Sequence, residues 1–145
     1  MNIRLRLREM IMEATNKTVS AGVMIKCTKT DNIFLALRSK GGDNGETWNL
    51  IAGGIEDSDE SVLDGLKREI KEELQIDPEL IDYKFIRKEF IKEKNMDFHY
   101  YEGFTKSEFI PTLDEENLDF GWYGKDELPS PLYPNISKKI KDVYE

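Results

Sequence analysis

Three glutamates, Glu69, Glu72 and Glu73, follow one another at three- and four-residue spacing in the middle of the chain. On a helix this spacing brings their side chains onto one face, where like charges destabilise the helix by roughly 0.2–0.5 kcal/mol per pair. A divalent cation would offset the repulsion, because Mg²⁺ binds oxygen ligands and carries the opposite charge. The pattern therefore indicates a cation site, although glutamates at this spacing are also common on solvated helix faces.

Residues before and within this helix fit the same interpretation. At Gly53 and Gly54 a backbone without Cβ can turn sharply and bring a carbonyl oxygen close to the same ion. Arg68 can pair with a nearby glutamate and fix its side chain. Gly65 lies on the carboxylate side of the helix and leaves room for a neighbouring loop. We therefore expect a loop to pack closely against the acidic face.

An apolar stripe predicts the helix itself. At 100° per residue its members fall within an arc of about 120°, beside the glutamates. The stripe comprises Val62, Leu63, Leu66, Ile70 and Leu74. Asp57, with Glu60 three residues on, is the predicted N-cap. Pro78 predicts that the helix ends near residues 75–77.

Apolar and β-branched runs elsewhere predict strands. They lie at residues 19–27, 33–37, 48–51, 83–91, 98–109 and 120–123, and the fourth and fifth are expected to pair. Residues 1–14 predict a helix, although the alternation of Ile3, Leu5 and Leu7 with polar residues also fits a strand. Residues 39–47 predict a loop. A last helix is expected from Asn135 to Tyr144. Strands on both sides of a central helix predict an α/β (α+β) sandwich forming one domain over residues 1–145.

The charge of the chain is concentrated in one region. The 145 residues include 21 basic and 29 acidic side chains, a net charge of −8. Residues 51–80 alone carry 3 basic and 10 acidic side chains. This acidity argues against extended nucleic-acid binding, and no apolar run approaches the roughly 20 residues of a membrane span. A single cysteine, Cys27, and a basic start without an apolar core favour a cytoplasmic location.

The stretch from Gly54 to Ile76 resembles the Nudix box of the Nudix hydrolase family. That pattern reads G-x5-E-x7-R-E-U-x-E-E-x-G-U, where U is a bulky apolar residue. The matching positions are Gly54, Glu60, Arg68, Glu69, Ile70, Glu72, Glu73 and Ile76. Gln75 stands where the family has its late glycine, so we expect an altered C-terminal turn with the chemistry retained. Ala52 departs from the proline or glycine that many members have before the glycine pair.

The resemblance implies a Nudix-type α/β/α sandwich with a mixed central sheet. It also implies a pyrophosphohydrolase that uses Mg²⁺ or Mn²⁺, in which water attacks a phosphorus of a nucleoside diphosphate linked to another group. The implied metal ligands are Glu69, Glu72, Glu73 and the backbone carbonyl of Gly53. Glu60 would support the site, while Arg68 would orient the carboxylates. Either Glu72 or Glu73 would be the general base.

A second acidic segment, Asp114–Glu116, precedes Trp122. Glu116 lies six residues before the tryptophan, as a late glutamate often does in relatives. We expect Glu116 to be a distal metal ligand or an alternative base. A solvated turn remains the competing interpretation of this segment.

Substrate contacts are left open by the sequence. Arg38 can contact a phosphate, and Trp48 can stack on a base, but a surface arginine and a core tryptophan are the alternatives. The expected partner is a small nucleotide with a diphosphate. Dinucleoside polyphosphates, ADP-ribose-like sugars, nucleoside triphosphates and capped RNA ends all remain candidates, as does a homodimer. A catalytically silent Nudix-like nucleotide-binding or regulatory module is the alternative function.

Overall fold

The computed structural model describes residues 17–39 and 45–145. The predicted helix at 1–14 and the centre of the predicted loop at 39–47 lie outside these residues. Within them, seven strands form one sheet. The strands are β1 (Thr18–Cys27), β2 (Ile33–Arg38), β3 (Trp48–Asn49), β4 (Ile51–Gly54), β5 (Asp82–Ile91), β6 (Met96–Thr105) and β7 (Asn117–Tyr123). The helices are α1 (Val62–Leu74) and α2 (Ile136–Val143), and 3₁₀ turns lie at Pro78–Leu80 and Lys92–Lys94.

The central strand of the sheet is β1, in the order β3-β2-β1-β6-β5. It runs parallel to β6 and antiparallel to β2, and β4 pairs antiparallel with it as well. The predicted pairing of the fourth and fifth runs is confirmed, because β5 and β6 are antiparallel neighbours. The sheet is therefore mixed, as the predicted fold class requires.

Two apolar clusters bury the two faces of this sheet. On one face, Leu66, Ile70 and Leu74 of α1 are fully buried against β1 and β2. On the other face, Ile136 and Ile140 anchor α2. Burying each such side chain contributes about 1.5–3 kcal/mol, so the apolar stripe fixes how α1 is rotated and where its acidic face lies. Neither described helix is long and apolar enough to cross a membrane.

The predicted start of the central helix at Asp57 is wrong. The helix α1 begins after Ser61, whose Oγ accepts a hydrogen bond from the Asp64 N–H at 3.0 Å. The preceding residues form a loop in which Asp59 Oδ2 accepts the N–H of Glu56 at 2.8 Å. The acidic residues before the apolar stripe therefore belong to that loop, because a serine four residues later offers the capping oxygen.

The end of α1 differs from the expected altered turn. Gln75 adopts the left-handed conformation, with φ 52° and ψ 42°, which glycine adopts without strain at this position. The turn thus keeps the geometry that a glycine would give. The Gln75 side chain also donates from Nε2 to the carbonyl oxygen of Thr112 at 3.3 Å. The non-glycine residue therefore adds a contact between the helix end and Thr112, two residues before the second acidic segment.

Candidate active site

Arg68 organises the N-terminal part of the acidic face of α1. Its Nε and Nη2 atoms donate to the two carboxylate oxygens of Asp59, both at 2.9 Å. Nη2 also donates to the carbonyl oxygen of Gly54 at 3.0 Å, and Nη1 lies 3.2 Å from Glu69 Oε1 and 3.3 Å from Glu72 Oε2. One guanidinium therefore connects two predicted ligands to the loop before the helix.

Asp59 was not singled out by the sequence, yet it is the main partner of Arg68. Its side chain is only 8% exposed, and the hydrogen bonds from Arg68 lower its pKa to about 2. Gly65 makes room for it, as expected, since a Cβ on Gly65 would lie 2.7 Å from Asp59 Oδ2. The Arg68–Asp59 pair depends on how the loop before α1 turns, so no local sequence pattern predicts it.

Gly53 and Glu69 lie directly against each other. A Cβ at Gly53 would overlap the carboxyl carbon of Glu69, so a side chain at this position would displace the Glu69 carboxylate. Burial raises the pKa of Glu69, although Arg68 opposes this effect. The fold therefore brings the Gly53 backbone and the Glu69 carboxylate together, as the predicted ligand set requires.

A second group of carboxylates lies at the C-terminal end of the same helix. One oxygen from each of Glu73, Asp114 and Glu116 lies within 4.8 Å of the others. Glu73 is 6% exposed, and no hydrogen-bond partner of its Oε2 is found in the described part of the chain. The pKa of Glu73 is raised to about 9, mainly because the side chain is buried and secondly because Glu116 lies beside it. The charged neighbours of Glu73 among residues 17–39 and 45–145 are acidic, so no basic side chain there offsets the charge of an ionised Glu73.

Backbone hydrogen bonds bring the second acidic segment to the helix. The N–H of Thr112 donates to the carbonyl oxygen of Leu74 at 2.9 Å. The N–H of Asp114 donates to the backbone carbonyl oxygen of Glu73 at 3.1 Å. These bonds satisfy carbonyls that the end of a helix leaves without intrahelical partners. The segment is therefore held against the end of α1, while Glu115 and Glu116 are exposed, and the role of Glu116 as a ligand or base stays a prediction.

The structure divides the predicted site residues into groups. Glu116 joins Glu73, and Glu69 lies beside Gly53. Glu72 is exposed and contacts Arg68, outside the three-carboxylate group. Asp114 is the site residue that sequence reasoning missed in this group. Its place two residues before Glu116 was the available signal.

An open groove of about 630 Å³ leads away from the glycine pair across the sheet to the start of α2. Its lining includes Arg38, Phe98, Tyr133 and Lys139, and the Arg38 guanidinium lies 5.9 Å from the centre of the Tyr133 ring. Trp48 is 8% exposed and packs edge-on against Tyr123, with ring centres 5.4 Å apart. Arg38 is an exposed side chain in the lining of the groove, and its phosphate contact stays a prediction, whereas the position of Trp48 fits the core alternative.

The layers and the carboxylates together define a class: an α/β/α sandwich with an acidic site on one helix beside a glycine pair. A family model described as NUDIX domain matches residues 16–144. The chain therefore belongs to the Nudix family. Membership implies a pyrophosphohydrolase-type enzyme that needs a divalent metal.

Solved structures share this fold at low sequence identity. The Nudix hydrolase RenU of M. smegmatis aligns with a TM-score of 0.71 and 16% identity over 88% of this chain and 86% of its own. A MutT Nudix hydrolase of Burkholderia pseudomallei aligns with a TM-score of 0.65 and 22% identity, covering 88% and 98%. A C. elegans Ap4A hydrolase in a binary complex gives 0.67 and 16%, covering 86% and 95%. These likenesses establish the shared fold.

Proposed function

We propose that this protein is a divalent-metal-dependent hydrolase of nucleoside diphosphates linked to another group. Water attacks a phosphorus of the diphosphate. The observation that carries the proposal is Glu73, a buried carboxylate whose Oε2 has no partner in the described residues and which lies beside Glu116. In a family whose members need divalent metal, such an oxygen is a ligand atom. We further propose that the protein acts in the cytoplasm on small nucleotides.

The residues present fit Mg²⁺ or Mn²⁺. Both ions prefer carboxylate and carbonyl oxygens, which are the donor atoms on this face of α1. The proposed ligands are Glu69, Glu72, Glu73, Glu116 and the carbonyl of Gly53. When bound, the metal neutralises diphosphate charge and lowers the pKa of water.

The side chains then have distinct tasks. Arg68 holds Glu69 and Glu72 in fixed positions through its hydrogen bonds. Either Glu72 or Glu73 accepts the proton of the attacking water, with Glu116 as the alternative base. Arg38 contacts a phosphate from the groove. Most of the required catalysis is positioning and charge neutralisation, because phosphoryl transfer needs little covalent help from the protein.

A substrate screen tests the proposal. Dinucleoside polyphosphates, ADP-ribose-like compounds and nucleoside triphosphates are incubated with the protein and either Mg²⁺ or Mn²⁺, and the products are identified. We expect cleavage of a diphosphate bond that stops in EDTA. Activity that persists in EDTA contradicts the proposal. Tight nucleotide binding without any product would indicate the silent binding module instead.

A matched pair of variants locates the activity in the site. Glu115 and Glu116 are both exposed, but only Glu116 belongs to the three-carboxylate group. Glu116→Gln is expected to lower turnover at least about tenfold, since loss of groups around a metal costs 10–100-fold. Glu115→Gln is expected to keep the wild-type rate. Equal rates for both variants would argue against a role for Glu116.

A further inference from the structure

Asp114 joins the end of α1 to the backbone of Glu116. Its N–H donates to the carbonyl oxygen of Glu73 at 3.1 Å. Its Oδ1 accepts the N–H of Glu116 at 3.0 Å and Nδ2 of Asn117 at 3.4 Å. The first of these side-chain bonds is a local turn in which an aspartate oxygen accepts a hydrogen bond from the backbone two residues on. Asp114 therefore sets where Glu116 lies relative to the helix.

The turn alone does not account for a negative charge at this position. An asparagine would accept the same hydrogen bonds without adding charge beside two other acids. A carboxylate oxygen of Asp114 nevertheless lies within 4.8 Å of oxygens from both Glu73 and Glu116. Three ionised carboxylates at such distances repel one another, so either one of them takes up a proton or a cation lies between them.

Glu73 provides independent evidence that a ligand belongs in this group. It is 6% exposed, so water cannot compensate its charge freely. Its Oε2 atom is buried and lacks a hydrogen-bond partner in residues 17–39 and 45–145. Buried carboxylate oxygens are nearly always paired or bound to a metal, so this atom indicates that a cation completes the group.

We propose that Asp114 supplies the third carboxylate of a divalent-cation site that it forms with Glu73 and Glu116. Asp114 lies outside the Nudix box, and the resemblance assigns it no role. The inference rests on the proposed function, because the same class of metal occupies the site. In this role one aspartate both fixes the turn and adds a negative oxygen to the site.

Titration of the metal-free protein with Mn²⁺ alone, followed by calorimetry, tests this role without substrate. Asp114→Asn keeps the acceptor oxygen of the turn and removes only the charge. We expect its melting temperature in EDTA to equal or exceed that of the wild type. Its affinity for at least one Mn²⁺ equivalent should fall about tenfold or more, in the range seen when groups around a metal are lost.

Asp119→Asn is the matched control. Asp119 also accepts a backbone hydrogen bond, from Phe120 at 2.8 Å, but it is exposed and lies outside the three-carboxylate group. Its change should leave the Mn²⁺ isotherm close to that of the wild type, which separates a local ligand from the general loss of negative charge. If Asp114→Asn does not fold, Asp114→Ser serves in its place, because the serine hydroxyl can accept the turn hydrogen bond.

The outcomes separate this inference from the proposed function. An Asp114→Asn isotherm that superimposes on the wild-type one overturns the role of Asp114 and leaves the proposed function intact. Equal losses in the Asp114 and Asp119 variants also overturn it, since the effect would then be general charge. A wild-type protein that neither binds Mn²⁺ nor hydrolyses any substrate contradicts the proposed function itself.

Discussion

The two ends of the acidic face of α1 contain similar side chains in opposite electrostatic states. At the N-terminal end, Arg68 pairs with Asp59 and lowers the pKa of that carboxyl to about 2. At the C-terminal end, Glu73 lies buried beside Glu116 and its pKa is raised to about 9. The Arg68–Asp59 pair is complete as a structural brace, whereas Glu73 has no basic partner in the described residues and a cation would balance its charge. The two acidic groups therefore differ in whether a basic side chain lies close enough to pair with the buried carboxyl.

The largest expected effect comes from Glu73→Gln, which removes the ionisable group at the unpaired end. We expect kcat/KM to fall at least about a hundredfold, the upper range for lost support around a metal. The melting temperature in EDTA at neutral pH should rise, because the buried Glu73 carboxyl has to take up a proton on folding, whereas a neutral amide does not. Steady-state kinetics and thermal unfolding measure both effects.

Glu79→Gln is the control for that change. Glu79 is exposed and pairs with Lys67 at 2.9 Å, away from both acidic groups. Its activity should match that of the wild type. A fully active Glu73→Gln enzyme would remove the proposed difference between the two ends.

The next effect is expected from Arg68→Met at the paired end. The change leaves the Asp59 carboxylate without its main partner, so the free energy of unfolding should fall by more than it does for Lys67→Met. Lys67→Met, at the adjacent position, removes only an exposed pair and should cost less than about 1 kcal/mol. Urea unfolding measures both. A double-mutant cycle with Asp59→Asn that shows no coupling would contradict the brace.

In the metal-free protein, the contributions of the two ends to the free energy of unfolding should change with pH in opposite directions. The pKa of Asp59 falls from 3.8 to about 2 on folding, so its contribution is present above pH 3.8 and is lost as the pH falls towards 2. The pKa of Glu73 rises from 4.5 to about 9, so its contribution is present below pH 4.5 and is lost as the pH rises towards 9.

Urea unfolding at a series of pH values in EDTA resolves these two limbs. Asp59→Asn should flatten the acid limb only, and Glu73→Gln the alkaline limb only. An alkaline limb that survives in Glu73→Gln would show that another group causes it.

The smallest effect is expected from Gln75→Gly, beside the unpaired end. Glycine removes left-handed strain, while the side-chain bond to Thr112 is lost, so the free energy of unfolding should rise by about 0.5–1 kcal/mol. Asn95→Gly is the control, since Asn95 also has a positive φ of 46° but asparagine tolerates it better. If Gln75→Gly is destabilising, the contact with Thr112 outweighs the strain.

Much of the fold could be predicted because it depends on local periodicity. The runs that became β1, β2, β5 and β6 were visible, and so was the apolar stripe of α1. The start of α1 was predicted wrongly at Asp57, since several acidic residues precede the stripe and each resembles a cap. Which residue becomes the N-cap depends on the tertiary contacts of the loop. Asp59 accepts hydrogen bonds from Arg68, and Ser61 caps the helix.

The same distinction applies to the site. Glu69, Glu72 and Glu73 share one helix, so their spacing alone places them on one face. Asp114 approaches Glu73 across a sequence separation that includes β5 and β6, and the contact forms through backbone hydrogen bonds at the helix end. No sequence pattern near Asp114 or Glu73 predicts this contact.

The sequence by itself determined the family, the acidic face and the glycine pair, because these features follow from residue order along one turn and one helix. Tertiary structure decided which acids are paired and which are not. It placed Arg68 over Asp59 and left Glu73 buried with Asp114 and Glu116. The reason is physical: the charge state of a carboxyl depends on its burial and on neighbours brought from distant segments, and only packing sets either.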